Sequence, residues 1–288
     1  MEDINPVIIF GTGRSGTTIF HKMLSEHPNL TSLTNLCDKY PEKLNLNRMI
    51  MKFYDYPFLK GILRKKIYIG ECYPFWEHYS KGFSLPCRDL LASDVSARVK
   101  QTIPRIMSQL TTQKRNRLLL KITGWPRISF LNEVFDNAKF IHVIRDGRAV
   151  VNSLMNVEFW LGWEGPKKWR WGPLSVAHQE EWNHYNQSFI VLAAIQWKML
   201  MDAAEKAKKN IDKSNIMEIK YEELCASPIQ LFRSVAEFCG LEWSNRFEKE
   251  LEKHRLKNTN SKFEQYFNLA QQSELNDVLN NHLKKYGY

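Results

Sequence analysis

The sequence predicts an α/β fold in three layers, a central parallel sheet flanked by helices with a largely helical cap, and three observations predict it. Short apolar runs at residues 7–10, 117–121 and 139–144 read as strands buried on both faces. Helical patterns separate those runs, the alternation that a parallel sheet requires. A chain of 288 residues with 43% hydrophobic content is long enough to bury a full core, so residues 1–288 read as a single domain.

Taken in order, the first run opens into Gly11-Thr12-Gly13-Arg14-Ser15-Gly16-Thr17-Thr18, followed by a helical pattern over residues 19–26. A strand feeding a glycine-rich turn aims several backbone N–H groups at one point, reinforced by the positive end of the helix dipole. Gly13 and Gly16 permit positive φ, Ser15, Thr17 and Thr18 add hydroxyl donors, and Arg14 is the fixed cation. The turn is P-loop-like: Gly11 and Gly16 keep the spacing of a nucleoside-triphosphatase loop, but Thr17 stands where that loop has lysine. No lysine reaches a γ-phosphate, which suits a 5′-phosphate bearing a smaller group.

Residues 35–115 break the α/β rhythm with aromatic and proline-containing helical pieces and read as a cap over the sheet. Within it, Ser93 or Asp94 opens an amphipathic helix to about residue 110. After the run at 139–144, Arg145 sits at a strand's carboxyl end and Ser153 about two helical turns further on, where both reach one anion beside the first turn. Two anion sites predict a doubly phosphorylated nucleotide. Residues 155–176 then gather Trp160, Trp163, Trp169 and Trp171 around glycines, a pocket-lining loop with Lys167, Lys168 and Arg170 beside it. A helix over residues 176–209 and a helix over 228–239 ended by Gly240 complete the pattern.

As a set, these motifs resemble the sulfotransferases that use 3′-phosphoadenosine 5′-phosphosulfate, in particular bacterial-type members related to the tyrosylprotein and glycan branch. Gly13 to Thr18 is similar to the family's [PG]-[KR]-S-G-T-T, and Arg145 to Ser153 to its R-[DN]-x-[RK]-x-x-x-x-S. Tyr221-Glu222-Glu223-Leu224 resembles its Y-E-D-L, and Ser261-Lys262-Phe263 its late S-K-W. The resemblance implies that Gly13, Arg14, Ser15, Gly16, Thr17 and Thr18 hold the 5′-phosphosulfate and that Arg145 and Ser153 hold the 3′-phosphate. It also implies Tyr221 near the adenine, Ser261 and Lys262 over the phosphates, and 3′,5′-adenosine bisphosphate as product.

The same resemblance implies transfer of a sulfuryl group to a hydroxyl of a small phenolic molecule or glycan. Arg14 and Lys121 are the candidate catalytic cations, Lys121 because the segment Lys121 to Pro126 is similar to one that places a lysine near the bridging oxygen. Many members put a histidine base two residues after that lysine; this chain has Thr123. Gly70 to His78 resembles the E-G-Y-x-x-W-[DE] stretch of a bacterial branch, which makes Glu71 the candidate base and His78 the runner-up. Tyr73, Trp76, Trp160 and Trp163 are expected on the acceptor side. No metal is expected, since arginine and lysine take the place magnesium holds in nucleotide kinases.

The net charge of +10 favours an anionic partner, which the nucleotide satisfies; the charge is spread along the chain, and nucleic acid is not expected. Five cysteines without a C-x-x-C pair read as reduced thiols. No stretch approaches 18 apolar residues, so the expectation is a cytoplasmic protein without integral membrane association. Two rival readings remain: a P-loop small-molecule kinase with Asp146 as magnesium holder, and a non-catalytic nucleotide-binding protein.

Overall fold

Five strands pair in the order β2-β3-β1-β4-β5, every neighbour parallel: β1 (Val7–Gly11), β2 (Leu30–Ser32), β3 (Arg117–Thr123), β4 (Lys139–Ile144) and β5 (Ile216–Lys220). The computed structural model describes residues 4–85 and 87–288. The central strands β1, β3 and β4 are mostly apolar runs because both faces of the sheet are covered there, while the edge strands β2 and β5 carry polar residues. Ile8, Phe10, Leu118, Leu120 and Phe140 meet Phe75, Trp76, Ile103, Met107 and Leu131 from the helices Tyr73–Tyr79, Ala97–Ser108 and Ile128–Val134. On the opposite face Val7, Ile9, Leu119 and Ile141 pack against Phe20, Phe232 and Phe247 from the helices Thr17–Leu24, Pro228–Cys239 and Asn245–Glu252. The result is three layers, with the 35–115 segment contributing much of the first.

Beyond the carboxyl end of β4 a third cluster joins the helices Gly147–Met155, Phe189–Lys208 and Leu269–Tyr286. This order of strands fixes where a ligand fits. The chain leaves β1 toward β2 and leaves β4 toward β5, in opposite directions along the sheet, so a crevice opens at the carboxyl ends of β1 and β4. Both glycine- and arginine-bearing turns lie there.

Two helix expectations need correction. The cap helix opens at Ser96, whose hydroxyl accepts from Val99 N at 3.2 Å. Asp94 is occupied by both guanidinium nitrogens of Arg88, each at 2.7 Å, and by Leu91 N, so it closes a short 3₁₀ turn over Ala92–Asp94 instead. The helix expected over 176–209 is two helices, Val176–His184 and Phe189–Lys208. Between them Asn186 and Gln187 adopt left-handed φ of 50° and 57°, and Gln187 N returns to Trp182 O at 2.9 Å, which ends the first helix. All five cysteines are free, and no helix among the described residues is long and apolar enough to cross a membrane.

Candidate active site

The turn after β1 is concave because Gly13, Arg14 and Gly16 all take positive φ, at 76°, 56° and 93°. Glycine is obligatory at position 16 for a second reason: a Cβ there would stand 2.4 Å from Tyr221 Cδ2. Ser15 Oγ is buried inside the turn with no hydrogen-bond partner among the described residues. An orphaned buried hydroxyl at a helix N-terminus, in a ring of left-handed residues, fits an anionic oxygen.

The second turn is bonded to the first. Arg14 Nε donates to Ser153 Oγ at 2.9 Å, and Arg145 Nη1 donates to Arg14 O at 2.9 Å. The guanidinium of Arg145 lies 4.4 Å from the centre of the Tyr221 ring. Burial pulls Arg145 below the usual guanidinium range while the neighbouring Tyr221 and Glu222 oppose that; an arginine keeps its charge at neutral pH regardless. Its remaining contacts come from a late loop: Nε donates to Asn260 Oδ1 and Nη2 to Thr259 Oγ1, each at 2.9 Å. Tyr221 donates to Lys257 O at 3.0 Å and anchors the same loop.

Ser261 and Lys262, expected over the phosphates, are exposed at the start of the helix Lys262–Tyr266. Phe263 explains the offset, since it is buried in the cluster around Gly147–Met155 and so sets the residues that reach back to Arg145 as Thr259 and Asn260. No local signal marked those two. Asp146, the magnesium holder of the kinase reading, caps its helix and is held by Arg148 at 2.7 Å.

A cleft of about 570 Å³ runs from the first turn to the tryptophan-rich loop, with Thr12, Gly13, Arg14, Thr17 and Thr18 at one end. Trp125, Phe159, Trp160, Trp169 and Trp171 line the other end, with Gln196 beneath them and the exposed Arg170 at the mouth. Trp160 is fixed by Nε1 donating to Gln196 Oε1 at 2.9 Å. Between the two ends stand Glu71, Tyr73 and Thr123. Lys121 reaches this midpoint from β3: its Nζ lies 3.0 Å from Glu71 Oε1 and donates to Thr18 Oγ1 at 3.1 Å. Thr123 Oγ1 donates to the same Glu71 oxygen at 2.7 Å, and Tyr73 donates to Thr123 O at 2.7 Å. Burial pushes the Tyr73 phenol up to about 12, so it remains a donor. His21, packed near Lys121, is lowered to about 3 by burial first and by that lysine second, and it stays neutral.

Three further expectations place residues where the structure does not. Trp76 is fully buried, stacked on Phe83 at 4.5 Å, and its Nε1 donates to Glu71 O at 3.2 Å; it holds the backbone of Glu71 and does not face the cleft. Trp163 is exposed and packs edge-on against Trp160 and Phe189, outside the cleft wall. His78 is exposed against Tyr79, away from the cleft residues. The short helix Tyr73–Tyr79 carries all of Tyr73, Trp76 and His78, and only its first residue points into the cleft. Arg127 was not anticipated: its guanidinium sits 5.2 Å from the Tyr73 ring centre and its Nε and Nη1 donate to Phe83 O and Trp125 O, both at 3.0 Å.

A protein-tyrosine sulfotransferase of Drosophila melanogaster is 22% identical over 242 residues, which is 83% of this chain and 38% of that protein. The chain spans less than half the length of the curated relatives it matches. Among solved structures, a sulfotransferase from Mycobacterium avium superposes with a TM-score of 0.58 at 17% identity, covering 99% of this chain and 77% of that one. The sulfotransferase domain of an olefin synthase from Synechococcus gives 0.53 at 13% identity, covering 100% and 96%. These superpositions share the fold described above. The model of the sulfotransferase family matches residues 6–245, across both turns and the cleft, and the chain belongs to that family.

Proposed function

We propose that this protein transfers a sulfuryl group from 3′-phosphoadenosine 5′-phosphosulfate to a hydroxyl of a small phenolic molecule or glycan. The observation that carries the reading is the Arg14–Ser153 hydrogen bond at 2.9 Å, which brings the two turns together at one place. A single ligand with phosphates at both ends of its ribose is what such a pair fits. When bound, the donor supplies a sulfuryl group on a phosphate leaving oxygen.

The chain's own residues supply the rest. Ser15, Thr17 and Thr18 present hydroxyls at the helix N-terminus, and Arg14 adds a fixed cation beside them. Arg145 and Ser153 set the register of the nucleotide through its 3′-phosphate. Lys121 Nζ, held between Thr18 and Glu71, is the cation that offsets charge developing on the leaving oxygen. The Glu71 carboxylate, held through Oε1 by Lys121 and Thr123, receives the acceptor's proton. Indole faces of Trp125, Trp160 and Trp171 exclude water and suit a phenol ring or the apolar face of a sugar.

The test is a panel of phenols, sugars and tyrosine peptides incubated with the donor and read by mass for an added sulfuryl group. A product with a phenol or sugar supports the reading. Sulfation of peptides alone transfers the acceptor class to that of the Drosophila relative, and binding of 3′,5′-adenosine bisphosphate with no product from any acceptor leaves a nucleotide-binding protein.

A further inference from the structure

The cap contains a hairpin of two helices, Leu44–Phe53 and Pro57–Leu63, of which the first buries Leu44, Ile50 and Met51 while the second turns its apolar side chains outward. Its second helix, Pro57–Leu63, has Phe58 78% exposed, Ile62 52% and Leu59 37%. The spacing i, i+1, i+4 puts the three on one stripe. Its polar residues go inward instead. Lys60 and Arg64 both bind Glu26, which is buried just beyond the helix Thr17–Leu24, and Lys60 lies 3.4 Å from Glu250 as well. Asp55, in the turn of the hairpin, is held by Arg115 at 3.1 Å. Ion pairs on the inner side therefore fix an apolar stripe outward, where Tyr56, Phe53 and Met49 extend it.

Isolated exposed apolar residues are ordinary, but a fixed stripe of them marks a docking surface. The charge around the stripe says what docks. Between residues 48 and 68 the sequence has six basic residues and a single acid. With Lys60, Arg64 and Asp55 committed to pairs, Arg48, Lys52, Lys65 and Lys66 are exposed and make no ion pair among the described residues. Aromatic and aliphatic side chains rimmed by unpaired cations match the apolar interior and anionic headgroups of a lipid interface, whereas a protein partner's apolar patch would leave those four cations unanswered.

We infer that the hairpin of residues 44–68 docks this protein peripherally on anionic lipid bilayers, inserting Phe58 and Ile62 while Arg48, Lys52, Lys65 and Lys66 meet the headgroups. The docked element leads directly into the cleft: Ile69 bridges Thr34, Gly70 N bonds Leu33 O at 3.1 Å, and Glu71 follows. The inference is independent of the proposed reaction, because binding is read without turnover.

Full-length protein is sedimented with phosphatidylcholine vesicles and with mixed phosphatidylcholine–phosphatidylserine vesicles. Binding is expected only to the mixed vesicles and falls as salt rises. Phe58→Asp with Ile62→Asp abolishes it, and Lys65→Glu with Lys66→Glu weakens it about fivefold or more per cation removed. Both variants keep the wild-type circular dichroism spectrum and thermal midpoint, since no substituted side chain makes a core contact. Failure to sediment with mixed vesicles overturns the inference. So does sedimentation that Phe58→Asp with Ile62→Asp leaves intact, or self-association of the protein alone that this variant abolishes, which would assign the stripe to a second copy of the chain.

Discussion

Lys121 Nζ lies 3.0 Å from Glu71 Oε1, the oxygen that also accepts the Thr123 hydroxyl at 2.7 Å. Strand β3 brings the cation and the hydroxyl, the cap brings the carboxylate, and the cleft runs past the group they form. If Lys121 offsets charge on the leaving oxygen, Lys121→Ala lowers the single-turnover rate about 10²–10³-fold while weakening nucleotide binding less than about tenfold. Rapid-quench kinetics beside calorimetry separates the two effects, and an unchanged rate removes Lys121 from the mechanism.

Glu71→Gln keeps the shape and removes the proton acceptor, so transfer at neutral pH falls about 10²–10⁴-fold. Thr123→Val removes only the hydroxyl that orients Glu71 and costs less, about tenfold, with nucleotide affinity unchanged. A Thr123→Val loss equal to that of Glu71→Gln would make the threonine, not the glutamate, the group in direct contact with the acceptor.

Arg145 has three of its five N–H groups occupied by Arg14 O, Thr259 and Asn260, and its guanidinium lies over the Tyr221 ring. Arg145→Ala is expected to weaken 3′,5′-adenosine bisphosphate about 10–100-fold and adenosine 5′-phosphate only slightly. Titration calorimetry with both ligands checks this. Equal losses would assign Arg145 to tying the late loop down rather than to the 3′-phosphate.

Gly16→Ala combines an unfavourable φ of 93° with a Cβ placed against the Tyr221 ring. A loss of about 1–3 kcal/mol in unfolding free energy is expected, with nucleotide binding impaired as Tyr221 shifts. Urea denaturation measures the first; wild-type stability would mean that the turn relaxes freely.

Acid should destabilise the fold through His21, whose folded pKa is about 3 against the ordinary 6.5. Above pH 6.5 the site is neutral in both states and stability does not depend on it. Between about 6.5 and 3 the unfolded chain takes up a proton that the folded chain refuses, so stability falls as pH falls, by up to about 1.4 kcal/mol per pH unit. His27 and His142 are lowered by burial as well and act in the same direction. His21→Gln should lose less stability than wild type between pH 7 and 5; identical losses would contradict the neutral, buried assignment.

The central strands β1, β3 and β4 were legible because burial on both faces leaves mostly apolar runs, whereas β2, Leu-Thr-Ser, is too short and polar to announce itself and was missed. The meeting of Arg14, Ser153 and Arg145 was legible because each sits at a fixed step from a strand end. What could not be read were partners supplied by tertiary packing. Trp76 and Tyr73 occupy one short helix, and which of them faces the cleft depends on Phe83, a residue in the following loop. Thr259 and Asn260 reach Arg145 only because Phe263 is buried, and a polar loop carries no periodicity that would announce it. The break at Asn186 and Gln187 was missed because neither glycine nor proline marks it: two ordinary polar residues take the left-handed conformation there.

Calorimetric titration of the wild-type protein with 3′,5′-adenosine bisphosphate, against adenosine 5′-phosphate and ADP, tests the two-turn site most directly. One equivalent of the bisphosphate binding at least about tenfold tighter than either single-ended nucleotide is the predicted result, since only it engages Ser15 and Arg145 together. No binding, or equal affinity for all three, would contradict the account.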